Sequence, residues 1–405
     1  MDSFEIDSDS DMNIDIDIDL NIMNSNDYDL NFATFKNING YYLNFAKFKN
    51  INGYLNFAKF KNINGYLNFA KFKNINGITC YMNSILHILQ QIICFTNYVF
   101  NSNKENDTIT HSLCKLFKLS INTDENKIIC PVDFKCIIGK FRDMWNDNNQ
   151  QDSSEFLIFL LEAIRNDCKK KYKYIPNIAN NYIHHNNKNM ISCLENIITL
   201  TNWNKFNESE NPIIKNMFYS VLQTLKICCN CKHTSITTDT QLLLTLNIST
   251  ENNRLLTIYD YLDLSFNDEI INADCHFCNK KMTDKISKSK LWKTPEILII
   301  YLCRLNLNEK INYNILYPIE NLNLSKYFNE NSIYKTQCNY NLIGINLHKS
   351  IGFSNNRDFG HYVSIIKNSY DSNWYLYNDE HEVMKIEINQ LQHPEAYILF
   401  YKLSN

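Results

Sequence analysis

The chain has 405 residues, 44% of them hydrophobic, and a net charge of −3, enough apolar material for one large or two ordinary cores. It has no Lys/Arg run dense enough for nucleic acid, no apolar stretch long enough to span a membrane, and an acidic start unlike a signal peptide. Its fourteen cysteines form no dense, even framework and read as reduced thiols of an intracellular protein, cytoplasmic or nuclear and not secreted. Residues 1–29 form an acidic segment, with nine Asp, one Glu and no Lys or Arg in the first thirty positions. Ile14 to Leu20 alternates at period two, a pattern able to add an edge strand to a partner. The charge favours a solvated, disordered tail. Residues 30–66 are repeats. The unit Leu-Asn-Phe-Ala-Lys-Phe-Lys-Asn-Ile-Asn-Gly-Tyr begins at Leu30, Leu43, Leu55 and Leu67. Each Asn-Gly suits a tight hairpin turn, but the unit is short for a solenoid. The first three copies read as poorly ordered duplications of the leading edge of a domain at 67–405. The abundance of Asn, Ile, Lys and Tyr suggests an AT-biased genome, such as that of a protist or a giant virus.

The fourth copy runs into Cys80. Met82, Ile85, Leu86, Leu89, Ile92 and Ile93 recur on one face of a helix, with Thr79 as its N-cap. Cys80 then sits in the first turn, where the macrodipole and free N–H groups favour a thiolate. A buried structural thiol is the competing reading. Asp152 is placed to cap a second helix, with Glu155 completing a capping box and Phe156, Leu157, Leu160, Leu161 and Ile164 as its apolar face. Cys228-x-x-Cys231 and Cys275-x-x-Cys278 offer four thiolates for tetrahedral zinc, with no open position, hence a structural site. Lys226, Lys232, Lys280 and Lys281 would offset its charge. The sequence between the knuckles is strand-like, as in Leu242 to Ile248. Cys229 matches no ligand position, and His184-His185 reads as a polar loop. Downstream, His361 to Ile366 and Trp374 to Tyr377 read as a hairpin that makes positions 361 and 378 cross-strand neighbours. A side-chain oxygen there, from Asn378 or Asp379, would fix the His361 tautomer and leave the other ring nitrogen for a thiol. A core histidine near a turn is the plainer alternative. Gly360 permits close approach of another chain.

Together these residues resemble the ubiquitin-specific proteases. Asn76-Gly77-Ile78-Thr79-Cys80-Tyr81-Met82-Asn83-Ser84 is similar to their cysteine box, Gly360-His361-Tyr362-Val363 to their histidine box, and Gln150-Gln151-Asp152-Ser153-Ser154-Glu155-Phe156-Leu157 to the acidic box between them. Pro295 to Arg304, Tyr317-Pro318, Tyr340-Asn341-Leu342, Trp374 to Asp379 and Ala396 to Tyr401 follow in order. The resemblance implies an α+β, papain-like cysteine protease fold with a helical thumb, a sheet-based palm and zinc-bound β-rich fingers at about 215–300. It implies hydrolysis of the bond after the C-terminal glycine of ubiquitin through a thioester, with Cys80 as nucleophile, His361 as base, Asn378 as orienting residue and Asp379 as its substitute. Asp152 would bind the basic tail of ubiquitin, and the channel at Gly360 would pass only glycine. No catalytic cofactor is implied. The cysteine box departs from the family: the usual Asn five before the nucleophile is Ile75, and another usual Asn is Ile78. Lys73-Asn74-Ile75 reads as the family's run with one residue inserted before Gly77. A local bulge would return Asn74 to the oxyanion, with Asn76 as the other candidate. A ubiquitin-binding pseudoenzyme and a protease for a ubiquitin-like modifier are the alternatives.

Overall fold

The computed structural model describes residues 69–404 except 103–107, 122–126, 168–181, 184–187, 210, 250–255, 305–310, 312, 351–359 and 370, together with strands Thr34–Lys36 and Tyr42–Asn44. Two units are separated by their contacts, 1–62 with 175–181, and 63–174 with 182–405. In the first, Thr34–Lys36 pairs antiparallel with Tyr42–Asn44, Phe35 facing Leu43. The acidic segment, the other early repeats and His184-His185 lie outside the described residues.

In the second unit the first half of the fourth repeat copy enters the core. Phe69, Ala70 and Phe72 are buried, and Lys71–Phe72 pairs in parallel with Ile128–Ile129. Helix α1, Cys80–Gln91, is buried at every position from Cys80 to Gln90, so it is a central rod rather than a surface helix. The expected apolar face is buried as far as Ile92, but the helix stops before it. Ile92 is extended, and Ile93 opens α2, Ile93–Asn101, with its side chain exposed. Apolar periodicity ran on where no Gly or Pro marked the break.

A sheet lies beside α1, with strands in the order Met384–Ile386, Trp374–Tyr377, Gly360–Lys367, Asn339–Ser350, Ala396–Leu403, Ile297–Cys303 and Leu244–Asn247. Ile297–Cys303 and the first six residues of Ala396–Leu403 are almost continuously buried and apolar because both faces are covered. Ile297, Ile299, Ile398 and Phe400 point into the core that holds α1, while Leu298, Ile300, Leu399 and Tyr401 fill a second core behind the sheet. Helices α3 (Ile109–Ile121), α4 (Val132–Gly139) and α5 (Ser153–Asp167) complete the helical half. One buried relay joins the parts: Asn346 donates to Ser84 Oγ at 2.9 Å and accepts from Ser153 Oγ at 2.9 Å, tying the sheet to α1 and α5.

The fingers form a separate sheet, ordered Glu269–Cys275, Lys280–Lys293, Ser220–Cys228, Thr234–Gln241, Tyr182–Ile183. Leu244–Asn247, expected among them, is instead the edge of the first sheet, pairing in parallel with Ile297–Cys303. Its apolar residues had a better surface to cover there.

His87 lies in the core, stacked between Phe72 at 4.5 Å and Tyr377 at 4.7 Å, with neither ring nitrogen hydrogen-bonded. Burial pushes its pKa down to about 3. Its stabilising contribution is complete above the unfolded value of about 6.5 and is lost by about 1.4 kcal/mol per pH unit as the pH falls from there toward the folded value. Denaturant unfolding of His87→Phe should therefore show a shallower stability loss between pH 6.5 and 4.5 than the parent. Parallel pH dependences would refute a neutral, buried His87.

Candidate active site

Cys80 opens α1 and is 1% exposed. The backbone N–H groups of Tyr362, Tyr81 and Cys80 favour its thiolate, but burial outweighs them, and with the Asp379 charge it pushes the thiol up to about 11. The helix start alone does not activate this sulfur. The strand Gly360–Lys367, which carries His361, packs against α1, which Cys80 opens. Thr79 is not a side-chain cap. Its Oγ1 accepts the N–H of Ile75 at 2.9 Å and its own N–H donates to Asn74 Oδ1 at 2.8 Å, so it braces the loop before the helix.

His361 lies on Gly360–Lys367 as expected, and Nε2 meets Asn378 Oδ1 at 2.6 Å. An amide oxygen can only accept, so Nε2 carries the proton and Nδ1 keeps the lone pair. The hairpin register differs from the expected one by two residues. Ser364 faces Tyr377 and Lys367 faces Trp374, so Asn378 is the diagonal neighbour of His361. A shift of two keeps both side chains on one face, and the contact survives.

Asp379 is buried 3.7 Å from His361 Nε2. It accepts from Asn83 Nδ2 at 2.8 Å and Asn74 Nδ2 at 2.9 Å. Burial pushes its carboxyl up, against the pull of Asn83, His361 and Asn74. Asn74 is further held by its backbone N–H, which donates to Glu380 Oε2 at 2.7 Å. The loop before Cys80 turns at Ile75–Gly77, where Asn76 at φ 52° and Gly77 at φ 72° are both left-handed. Asn76 itself is exposed, with no hydrogen bond to its side chain among the described residues. Asn83 and Glu380 carried no sequence signal beyond their places in the boxes.

Asp152 caps α5 through Oδ1, which accepts from Ser154 N at 2.7 Å and Glu155 N at 3.1 Å. Its Oδ2 accepts from Tyr397 Oη at 2.5 Å and Tyr362 Oη at 3.2 Å, so one carboxylate links α5 to two palm strands. The close approach at Gly360 is made by the protein's own His348. That ring stacks on Tyr362 at 4.3 Å, and its Nε2 lies 1.9 Å from where a Cβ at 360 would stand. Gly360→Ala should thus displace His348 and the strand beside His361, at about 1–3 kcal/mol of overpacking. We expect lower turnover, with His348→Ala restoring part of it in the double variant. Equal losses in the single and double variants would exclude this clash.

The four cysteines Cys228, Cys231, Cys275 and Cys278 form a cluster away from this site, their sulfurs all within 4.8 Å of one another. Cys231 and Cys275 are 3.7 Å apart, close to the edge of about 3.8 Å expected of a tetrahedron with ~2.3 Å metal–sulfur bonds. Lys280–Lys293 pairs with Ser220–Cys228 and so brings the two knuckles together, Lys285 facing Cys228. The residues after each knuckle, Lys232 and Asn279, are both left-handed. The N–H of Cys231 holds the Cys228 thiol down to about 6. These residues could hold a metal ion. Cys229 stays outside the cluster, its N–H donating to Asp284 O at 2.9 Å.

The family model described as ubiquitin carboxyl-terminal hydrolase matches residues 71–401. Ubiquitin carboxyl-terminal hydrolase 2 of Bos taurus is 24% identical over 344 residues, covering 81% of this chain and 54% of that protein. A probable ubiquitin carboxyl-terminal hydrolase of Acanthamoeba polyphaga mimivirus is 27% identical over 344 residues, covering 73% of this chain and 70% of its own length. The chain spans about half the length of the mammalian relatives it matches. The fold is also that of the SAGA Ubp8/Sgf11/Sus1/Sgf73 DUB module bound to ubiquitin aldehyde, with a TM-score of 0.62, 21% identity, and coverage of 92% of this chain and 81% of that one. With the match running from the strand before Cys80 to the last strand of the palm, the chain belongs to the ubiquitin carboxyl-terminal hydrolase family.

Proposed function

We propose that the chain is a thiol-dependent deubiquitinase that cleaves the bond after the C-terminal glycine of ubiquitin. The observation that carries this is the His361 Nε2···Asn378 Oδ1 bond, which leaves Nδ1 as a base on the strand that packs against the helix Cys80 opens. Because the resting thiol is pushed up to about 11, it holds its proton until His361 takes it. The sulfur then attacks the glycine carbonyl, and the imidazolium returns the proton to the leaving lysine amine. Water activated by the same nitrogen hydrolyses the thioester. Asn378 orients the ring, with Asp379 as the second candidate for that role. Asp379 also aims Asn74, whose amide has two hydrogens, only one of them engaged by this carboxylate. The other, with the backbone N–H of Cys80, forms the oxyanion hole. Asp152 meets the basic tail of ubiquitin, and Gly360 borders the narrow passage for its glycines. Structural zinc in the four-cysteine cluster would brace the fingers without entering the chemistry. Among the described residues no helix is long and apolar enough to cross a membrane. We place the protein in the cytoplasm or nucleus.

A ubiquitin probe with a C-terminal electrophile tests the reading. Labelling on Cys80 is the expected result. Binding without labelling would make the protein a pseudoenzyme, and preference for another modifier would change the substrate. Asn74→Ala should lower kcat about 10²–10³-fold with little change in ubiquitin affinity, because the hydrogen bond strengthens only in the transition state. An unchanged rate would remove Asn74 from the oxyanion hole.

A further inference from the structure

The geometry points to Asn76-Gly77 as a self-modifying site, where deamidation disables the loop that presents Asn74. This rests on the reading of Asn74 as the oxyanion donor. The reacting pair stands open. Asn76 is exposed, and no hydrogen bond holds its side-chain amide among the described residues. Gly77 adds no side chain, and a Cβ built there meets no atom within 4 Å. Its N–H is held only by Asn74 O, at a long 3.4 Å. Both residues are left-handed, in a short turn at Ile75–Gly77 outside the sheet and long helices. Rotation of this one peptide brings the Gly77 nitrogen onto the Asn76 side-chain carbonyl.

The balance is simple. The Gly77 nitrogen forms a bond to Asn76 Cγ and gives up its proton. The Cγ–Nδ2 bond breaks, and ammonia leaves with that proton. Water then opens the five-membered imide at either carbonyl, giving aspartate or isoaspartate. No oxidant or second protein is needed.

The position makes this consequential. On the reading of one inserted residue before Gly77, Asn76 is that residue, and it belongs to the Ile-Asn-Gly that the repeat unit carries. It sits inside a short closure made by Thr79 N–H to Asn74 Oδ1 and Ile75 N–H to Thr79 Oγ1. Isoaspartate adds a methylene to the main chain within that closure. Either product adds a carboxylate two residues from the Asn74 N–H that donates to Glu380. The oxyanion donor loses its register, while the core, which does not include this turn, stays folded.

The test holds the purified full chain in warm, mildly alkaline buffer and samples it over time. Peptide mapping reads a gain of about one dalton at residue 76, and isoaspartate methyltransferase reads the rearranged product. Turnover of a fluorogenic ubiquitin substrate is followed in parallel. We expect turnover to fall in step with the mass gain, at constant ubiquitin affinity, and Asn76→Gln to keep both its mass and its rate. Asn39-Gly40, Asn52-Gly53 and Asn64-Gly65 serve as references within the same chain. An intact mass at 76 while these three convert would overturn the proposal, as would full conversion at 76 with unchanged turnover. Failure of the fresh protein to hydrolyse ubiquitin would instead refute the deubiquitinase reading, and the mass at 76 is read independently of it.

Discussion

Cys80→Ala should abolish thioester formation and lower turnover by about 10⁴-fold or more, while ubiquitin binding stays nearly intact. The thiol is small and buried, so its removal takes away little contact surface. We propose Cys80 as the nucleophile for a specific reason. The strand that carries His361 packs against the helix Cys80 opens, whereas half-buried Cys94 is pushed up further by burial and by Glu296. A comparable rate for the alanine variant would assign the chemistry to another residue. The neighbouring carboxamide and carboxylate then separate. Asn378→Ala frees the imidazole and should slow turnover. Asp379→Ala also releases Asn74 and Asn83, so its loss should not be additive with that of Asn74→Ala. Additive losses would mean that Asp379 acts on His361 alone.

Local rules read the thiol, the histidine and the knuckles from the sequence because their chemistry is tied to spacing. The His361–Asn378 contact survived a register error because strand faces repeat every two residues. The errors fell where long-range packing decides. Thr79 looked like an N-cap, yet its hydroxyl is spent on Ile75 N–H and Asn74, since the inserted residue needed bracing. Leu244–Asn247 followed the first knuckle in sequence, yet its apolar side chains found the palm sheet. Gly360 suggested room for a foreign chain, and the occupant is His348, twelve residues upstream on the neighbouring strand. The Asp379 hub was illegible for the same reason. It collects Asn74 and Asn83 from around the start of α1 and His361 from the neighbouring strand, and a sequence gives no angle between them.

Removing the metal should have the largest effect on the fingers, and a graded one. The purified chain is expected to hold one zinc, and Cys275→Ser to release it. Structural zinc sites supply about 10–16 kcal/mol of binding free energy in small domains, far more than a two-strand tip can replace. Cys275 is the most consequential choice. It is buried, and it ends a strand whose register slips between Ala273 and Cys275. The base of the fingers has other anchors. Trp292 donates to Asn196 Oδ1 at 2.8 Å, and Leu291 and Trp292 are buried in the two cores. Amide exchange should therefore rise at 228–233 and 274–281 on chelation. It should stay low at Leu244–Asn247 and Ile297–Cys303, which pair with each other in the palm. Activity on a minimal probe that needs only the thiol and the palm should fall less than activity on intact ubiquitin conjugates. Active protein without zinc, or uniform exchange across both sheets after chelation, would show that the cluster does not clip the fingers.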